Sequence, residues 1–335
     1  MNNLSIIVLT YNSEKYIAKC LDAIIENSSK KDEIIVIDNN STDNTLDILK
    51  KYKKDIRLFK VNKNVGISEG RNIGCKYSKN DILVFIDSDI ILNEDSITHG
   101  KDAFIKYNAD ALVGIYKEYG DGLNWHPEYN RDLFASKRRK DFKREITFKN
   151  YTTFSGGLCM IKKDIFQKYY GFDIKFNGGS CEDIKLELMM IKDGRKIIFE
   201  RGFNATHCKS YMSFKGLMKR SLNSGRGLGN LIKSIKTCHY KIPFNRQWPY
   251  LPISVPIEIL LLFLSIFNHY FLILFLILFL CRCASVIFNG NDKLTKKILF
   301  LILRVPVDMA MFYSMIKTLL KKGCINDIKY EVKEL

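Results

Sequence analysis

Residues 82–92 read ILVFIDSDIIL. Ile82, Leu83, Val84, Phe85 and Ile86 form an unbroken apolar run, the pattern of a strand buried on both faces. The run closes on two carboxylates, Asp87 and Asp89, one residue apart, before apolar residues resume at Ile90. Burying a carboxylate costs several kcal/mol unless a cation or hydrogen bonds compensate. Hard divalent ions take oxygen ligands, and Mg²⁺ commonly uses one or two carboxylates plus substrate phosphates. Alone, Asp-Ser-Asp is also ordinary turn composition, so the surrounding sequence must decide what offsets its charge.

Outward from this stretch, strand and helix patterns alternate. Leu4–Leu9 reads as a buried strand, followed by a helix from about Glu14 to Glu26 with Ile17, Leu21, Ile24 and Ile25 on one face. Glu33–Asp38 is a second strand, and Ser41 and Asp43 offer capping oxygens to a helix from about Asn44 to Tyr52. A short strand near Arg57–Val61 and a helix over Ile67–Tyr77 lead into the opening stretch. This alternation predicts an α/β fold, a mainly parallel twisted sheet with helices on both faces. Ligands of such sheets bind at the carboxyl ends of the strands. Those ends are Thr10-Tyr11-Asn12, Asp38-Asn39-Asn40 and Asp87-Ser88-Asp89, and all three should open on one edge. Further on, Ala109–Ile115 reads as a strand, 116–150 as basic loop with Lys137-Arg138-Arg139-Lys140, and 151–161 as a strand interrupted by Gly156-Gly157. Cys181–Lys192 reads as a helix opened by Glu182 and Asp183.

The chain has 335 residues, 47% of them hydrophobic, and a formal net charge of +17. That length allows two or three units and a sizeable core. A basic chain suits nucleic acid, anionic lipid or phosphorylated small molecules. No RRM, zinc-finger or helix-turn-helix signature is present, and the apolar tail favours anionic lipid over nucleic acid. Nine cysteines with no C-x-x-C pair read as reduced thiols, not a disulfide frame or zinc site. The first residues, MNNLSIIVLTYN, lack the pattern of a signal peptide, so this part is expected to stay in the cytosol.

Beyond His207 the pattern changes. A basic, Gly-interrupted stretch, FKGLMKRSLNSGRGLGNLIKSIK, precedes a long apolar segment at 251–288. About 18 apolar residues suffice to cross a bilayer. Asn268-His269 divides the segment, giving either two short spans or one with a polar break, and 298–316 reads as a further span or an interfacial helix. The basic run before 251 places that side, and with it the preceding domain, at the cytoplasmic face of a membrane. The expected organisation is a first domain over 1–210, a basic interfacial segment at 211–250, membrane-associated helices at 251–320 and a tail at 321–335.

Taken with its company, the first domain resembles the family 2 glycosyltransferases, which have the GT-A fold. The resemblance covers residues 3–210 and rests on four pieces in order: SIIVLTYNSEKYIAKCLDAI; EIIVIDNNSTDNT; NVGISEGRNIGCKYSKNDILVFIDSDI; and FSGGLCMIKKDIF…GFDIKFNGGSCEDIKLELMMIKDGRKI…ATH. It implies a nucleotide-diphosphate sugar as donor and Mg²⁺ or Mn²⁺ as cofactor. By resemblance Thr10, Tyr11 and Asn12 hold the nucleotide, with Tyr11 stacking on the base. Asp38 reads the base, and Asn39 stands where many relatives carry a second acid. Arg71 lies near the diphosphate. Asp87, Ser88 and Asp89 form the D-x-D, with Asp89 the more direct metal ligand. Gly156 and Gly157 flank donor sugar and acceptor, Asp183 with Glu182 supplies the base, and His207 lies near the metal. The G-R-G-L-G at 225–229 resembles the basic element that lies along the membrane in polysaccharide-building relatives. Inversion at the anomeric carbon is implied by resemblance alone.

The physical chemistry agrees with these roles. Leaving-group departure develops negative charge on a diphosphate, which a divalent cation neutralises. The attacking hydroxyl loses a proton, which a carboxylate within hydrogen-bond reach can take. The acceptor implied is a lipid-linked glycan or exopolysaccharide. Transfer to polyprenyl phosphate, an inactive scaffold of the same fold, and a nucleic-acid-binding protein are the alternatives. The intact Glu182-Asp183 pair argues against the first, and the presence of both Asp89 and Asp183 against the second.

Overall fold

The computed structural model describes residues 3–119, 145–146, 155–176, 180–208, 214–238, 254–264, 266, 268–288, 294–321 and 330–335. The basic run at 137–140 lies outside these residues. Strands β1 (Leu4–Thr10), β2 (Glu33–Asp38), β3 (Arg57–Val61) and β4 (Ile82–Asp87) are parallel and lie in the order β3-β2-β1-β4. Their side chains are buried almost without interruption, as expected for strands covered on both faces. Helices α1 (Ile17–Asn27), α2 (Thr45–Lys50) and α3 (Ile67–Tyr77) connect them. The first helix begins three residues later than the sequence suggests, because Ser13 O first accepts both the Tyr16 and Ile17 N–H groups in a turn. Asp43 Oδ1 accepts the Thr45 N–H at 3.0 Å, whereas Ser41, expected to cap the same helix, accepts the Asn12 N–H at 3.0 Å. Gly70 and Gly74 seat α3 on β1: a Cβ at either would collide with the Leu9 or Ile7 side chain.

The chain continues through β5 (Ile90–Leu92), α4 (Ser96–Lys106), β6 (Ala111–Tyr119), β7 (Glu145–Ile146), β8 (Leu158–Lys162), α5 (Lys163–Lys168), α6 (Glu182–Lys192) and β9 (Ile197–His207). The sheet extends past β4 as β8-β6-β9-β5, with β8 antiparallel to both β4 and β6. The opening stretch is therefore two strands with different addresses. β4 sits at the sheet centre, and β5 pairs β9 at the far end, with Ile90 opposite His207. Asp-Ser-Asp is the crossing between them.

The C-terminal part holds α7 (Phe214–Cys238), α8 (Ser254–Leu264), α9 (His269–Phe288) and α10 (Leu294–Leu320). The polar break at Asn268-His269 does separate two helices. Among the described residues, however, no helix is long and apolar enough to cross a membrane. The spans expected within 251–288, and the reading of 298–316 as a further span, are thus not supported. α8 has 11 residues, about 16 Å of helix against a hydrocarbon core of about 30 Å. α10 carries Lys296, Lys297, Arg304 and Asp308 within its length. The glycines of G-R-G-L-G serve packing. A Cβ at Gly225 would strike the Met311 carbonyl of α10, one at Gly229 would lie 2.9 Å from the Met315 carbonyl, and one at Gly227 would strike the Ser180 backbone. α7 is thereby wedged between α10 and the segment entering α6.

The expected tail is not separate from the first domain. β10 (Val332–Glu334) adds an antiparallel strand to the edge of β3. Tyr330 and Val332 pack on the apolar cluster of Ile35, Ile37 and Phe59. Arg57 Nε bonds Glu334 at 3.2 Å, and the Tyr330 hydroxyl donates to Glu69 of α3.

Candidate active site at the carboxyl ends of the parallel strands

The register of the parallel strands puts Thr10 opposite Asp38 and Leu9 opposite Asp87. The three polar strand ends therefore share one edge. Side-chain bonds stitch their loops together. Asn12 Oδ1 accepts the Thr42 N–H at 2.8 Å, Thr45 Oγ1 accepts the Ser13 N–H at 2.7 Å, and the Ser13 and Ser88 hydroxyls are 2.8 Å apart. Asn12 takes the left-handed backbone (φ 51°) that turns the chain out of β1. Thr10 is buried, and Tyr11 presents a ring 48% exposed. Asp38 is fully buried, and its carboxylate receives long contacts, 3.3 and 3.4 Å, from the Ser41 N–H. Burial raises its pKa above the ordinary value, with the Ser41 bonds opposing.

Asn39, a candidate nucleotide-site residue, is held by protein partners. Its amide nitrogen donates to Asn64 Oδ1 at 3.1 Å and Gly66 O at 3.3 Å, and its oxygen accepts the Val65 N–H at 2.8 Å. It is a buried strut between β2 and the loop entering α3.

Arg71, expected beside a diphosphate, is paired with two carboxylates of the protein. It is buried, with Nη2 2.6 Å from Asp87 and Nη1 3.0 Å from Glu182, and its guanidinium lies 5.3 Å from the Phe172 ring centroid. Burial acts to lower the Arg71 pKa, but the two carboxylates outweigh it and hold it above its usual value. The question posed by the opening stretch thus has one answer per carboxylate. Arg71 offsets Asp87. Asp89 is 39% exposed and lies 3.8 Å from His207 Nε2, held there because its backbone carbonyl accepts the Cys208 N–H at 2.8 Å.

Among the described residues, no group of three His, Cys, Asp or Glu side chains could hold a metal ion by itself. Asp89 and His207 offer one carboxylate and one imidazole on the open edge. That donor set fits an ion which takes one or two protein ligands and completes its shell with substrate phosphates.

Asp183 stands at the first turn of α6. Its Oδ2 accepts the Gly156 N–H at 3.1 Å and its Oδ1 the Ile184 N–H at 2.8 Å. A carboxylate has about four acceptor positions, so capacity remains for a hydroxyl donor. Burial raises the pKa of Asp183, opposed by the Gly156 bond and Arg71. Glu182 is pushed up to about 7, first by burial and then by the Asp183 charge, against Arg71. The glycines bring the backbone against this cluster. A Cβ on Gly156 would lie 2.8 Å from Arg71 Nη1 and 3.3 Å from Asp183 Cβ. One on Gly157 would lie 2.6 Å from Asp87 Cγ and closer still to its Oδ2. Gly157→Ala should therefore push Asp87 off Arg71. The expected loss is about 1–3 kcal/mol in a denaturant titration, and an unchanged midpoint would contradict the packing.

The raised carboxylates also set a pH dependence. A folded-state pKa above the unfolded value gives stability that is complete below the ordinary carboxylate range and is lost as pH rises through the raised value. For Glu182 that window runs from about 4 to about 7. The ligand-free melting temperature should therefore fall across this window as pH rises, and Glu182→Gln should flatten the slope. Parallel curves for wild type and variant would count against the raised value.

The sequence reading missed three contributors: Ser13, Tyr116 and Ser155. Tyr116 meets His207 edge-on, with centroids 5.1 Å apart, and its hydroxyl lies 2.8 Å from Ser155 Oγ. The available signal was Gly114, a glycine inside a strand pattern, which marks a bulge or a close approach.

A mixed α/β sheet with its polar strand ends on one edge is the fold type of the glycosyltransferases. Residues 5–170 match the family model of glycosyl transferase family 2. It is 34% identical over 131 residues to the poly(ribitol-phosphate) beta-N-acetylglucosaminyltransferase TarP of Staphylococcus aureus (strain N315), covering 36% of this chain and 39% of that one. It is 24% identical over 253 residues to a dolichyl N-acetyl-alpha-D-glucosaminyl phosphate 3-beta-D-2,3-diacetamido-2,3-dideoxy-beta-D-glucuronosyltransferase of Methanococcus voltae, covering 70% and 75%. The mannosyltransferase PcManGT from Pyrobaculum calidifontis, solved with GDP-Man and Mn²⁺, shares the fold with a TM-score of 0.63 at 16% identity, over 96% of this chain and 88% of that one. The chain spans between 16% and 39% of the length of the curated relatives that it matches at about one third identity.

Proposed function

We propose that the protein is a metal-dependent, inverting glycosyltransferase that moves a sugar from a nucleotide-diphosphate donor to a hydroxyl of a lipid-linked glycan or polysaccharide acceptor. The observation that carries this reading is the chain of contacts from Asp89–His207 through Tyr116 and Ser155 to Gly156, whose N–H holds Asp183. Asp89 and His207 would hold Mg²⁺ or Mn²⁺, which supplies charge neutralisation at the departing diphosphate. The fold neighbour solved with GDP-Man and Mn²⁺ supports that choice of ion. Tyr11 offers a face for a base, and buried Asp38 offers it a hydrogen-bonding edge. Asp183 takes the proton of the attacking hydroxyl. Its raised pKa makes it a better base than an ordinary aspartate, and a positioned base contributes about 10²–10⁴-fold. Glu182 stays on Arg71 and keeps the first turn of α6 in place.

Two relatives are named for acceptors that carry phosphate, poly(ribitol-phosphate) and a dolichyl-linked sugar phosphate. A net charge of +17 suits such an acceptor and an anionic membrane surface. Exposed Leu260 and Phe263 of α8, with Ile273, Ile277 and Leu280 of α9, support work at the cytoplasmic face of a membrane through apolar contact. Polyprenyl phosphate as the direct acceptor would need no base, so the held Asp183 favours a hydroxyl. Melting temperature against UDP, GDP, CDP and dTDP, each with and without Mn²⁺, tests the reading. One nucleotide should stabilise only with metal, by about 2.7 kcal/mol at a hundred times its Kd. No shift with any of the four would overturn it.

A further inference from the structure

β6 leaves regular pairing twice within a few residues. Its register with β9 shifts between Val113 and Ile115 and again between Tyr116 and Glu118. Such bulges bend a strand and re-aim its side chains. Gly114 permits the first shift: a Cβ there would lie 2.5 Å from the Phe203 carbonyl oxygen and 2.8 Å from the Leu158 side chain. Between the two shifts stands Tyr116. Its ring meets the His207 imidazole edge-on, with the planes at 89°. Its hydroxyl shares a 2.8 Å hydrogen bond with Ser155 Oγ. Ser155 immediately precedes Gly156, whose N–H holds Asp183, and Ser155 O accepts the Leu158 N–H that starts β8. One half-buried side chain therefore touches both halves of the site.

We propose that Tyr116 is a positioning residue that fixes the Asp89–His207 pair relative to the Ser155–Gly156 loop and, through that loop, to Asp183. Its ring plane limits how the imidazole can turn against Asp89. Its hydroxyl pins the loop whose backbone orients the base. Gly114 belongs to the same device, because without its close approach the bulge could not aim the ring. This inference rests on the glycosyltransferase reading above. It adds a residue that touches neither donor nor acceptor in that scheme.

Two substitutions separate the two contacts. Tyr116→Phe keeps the ring and loses the hydroxyl bond. Hydrogen exchange of a peptide covering Ser155–Met160 should then quicken at least about threefold. The MnCl₂ concentration giving half of the nucleotide-dependent melting shift should stay within about twofold of wild type. Tyr116→Leu loses both contacts, so the exchange should quicken likewise and the MnCl₂ requirement should rise at least about fivefold. The nucleotide used is whichever of UDP, GDP, CDP and dTDP most stabilises the wild type, and ligand-free melting checks that each variant folds. A purely structural tyrosine would move the ligand-free melting but not the metal requirement. Wild-type MnCl₂ dependence in Tyr116→Leu, or unchanged exchange in Tyr116→Phe, overturns the inference alone. Should Tyr116→Leu not fold, the exchange in Tyr116→Phe decides. A wild type that responds to no nucleotide overturns the transferase reading and this inference together.

Discussion

Measured well above pH 7, where Glu182 carries its charge, Arg71→Met should destabilise the ligand-free protein by about 3–5 kcal/mol, since removing one partner of a buried pair leaves an uncompensated charge. The guanidinium joins Asp87 on β4 to Glu182 at the start of α6. The greater part of the loss belongs to Glu182, whose side chain is 8% exposed. Asp87 is 37% exposed, and water screens it more. In a chain of this size the loss corresponds to a fall of roughly 10 °C in melting temperature. Adding Glu182→Gln to Arg71→Met should recover part of it, because the stranded charge is then gone. Additive losses in the double variant, or a single variant as stable as wild type, would show that the three residues do not act as one unit.

The largest kinetic effect is expected at Asp183. Asp183→Asn keeps the shape and the acceptor oxygen for the Gly156 N–H but cannot take a proton. Turnover should fall by about 10²–10⁴, while metal-linked nucleotide binding stays within a few-fold of wild type. The residual activity should also lose its acid limb. In the wild type that limb lies above the ordinary aspartate range, since burial raises Asp183. A loss of nucleotide binding equal to the loss of turnover would instead make Asp183 part of the donor site.

Much of this arrangement is legible in the sequence because it is local. Continuous apolar runs ending in Thr10, Asp38 and Asp87 set the parallel strands, and parallel pairing puts their ends on one edge. The acids Glu182 and Asp183 announce a helix start. What is hidden depends on residues far apart in the chain. Nothing near Arg71 points to Glu182, 111 positions away, so an arginine beside two glycines reads as a free cation. Asp87 and Asp89 look like one motif, yet Asp87 closes β4 and pairs with Arg71, while Asp89 lies in the turn into β5 beside His207. Asn39 looks like a ligand because a polar residue at a strand end has two possible directions. The apolar C-terminal segments read as spans because composition does not reveal helix ends or neighbours. The strand at Val332–Glu334 is too short to announce itself before an edge is available to pair with.

The division of labour between the two aspartates is the central claim, and calorimetric titration of Mn²⁺ with a nucleoside diphosphate into wild type, Asp87→Asn and Asp89→Asn tests it most directly. Asp89→Asn should abolish metal-linked binding and leave ligand-free melting within a few degrees of wild type. Asp87→Asn should lower the melting temperature, because Arg71 loses a partner, while metal-linked binding persists. The reverse pattern, with Asp87→Asn abolishing metal-linked binding at unchanged stability and Asp89→Asn retaining it, would contradict the account.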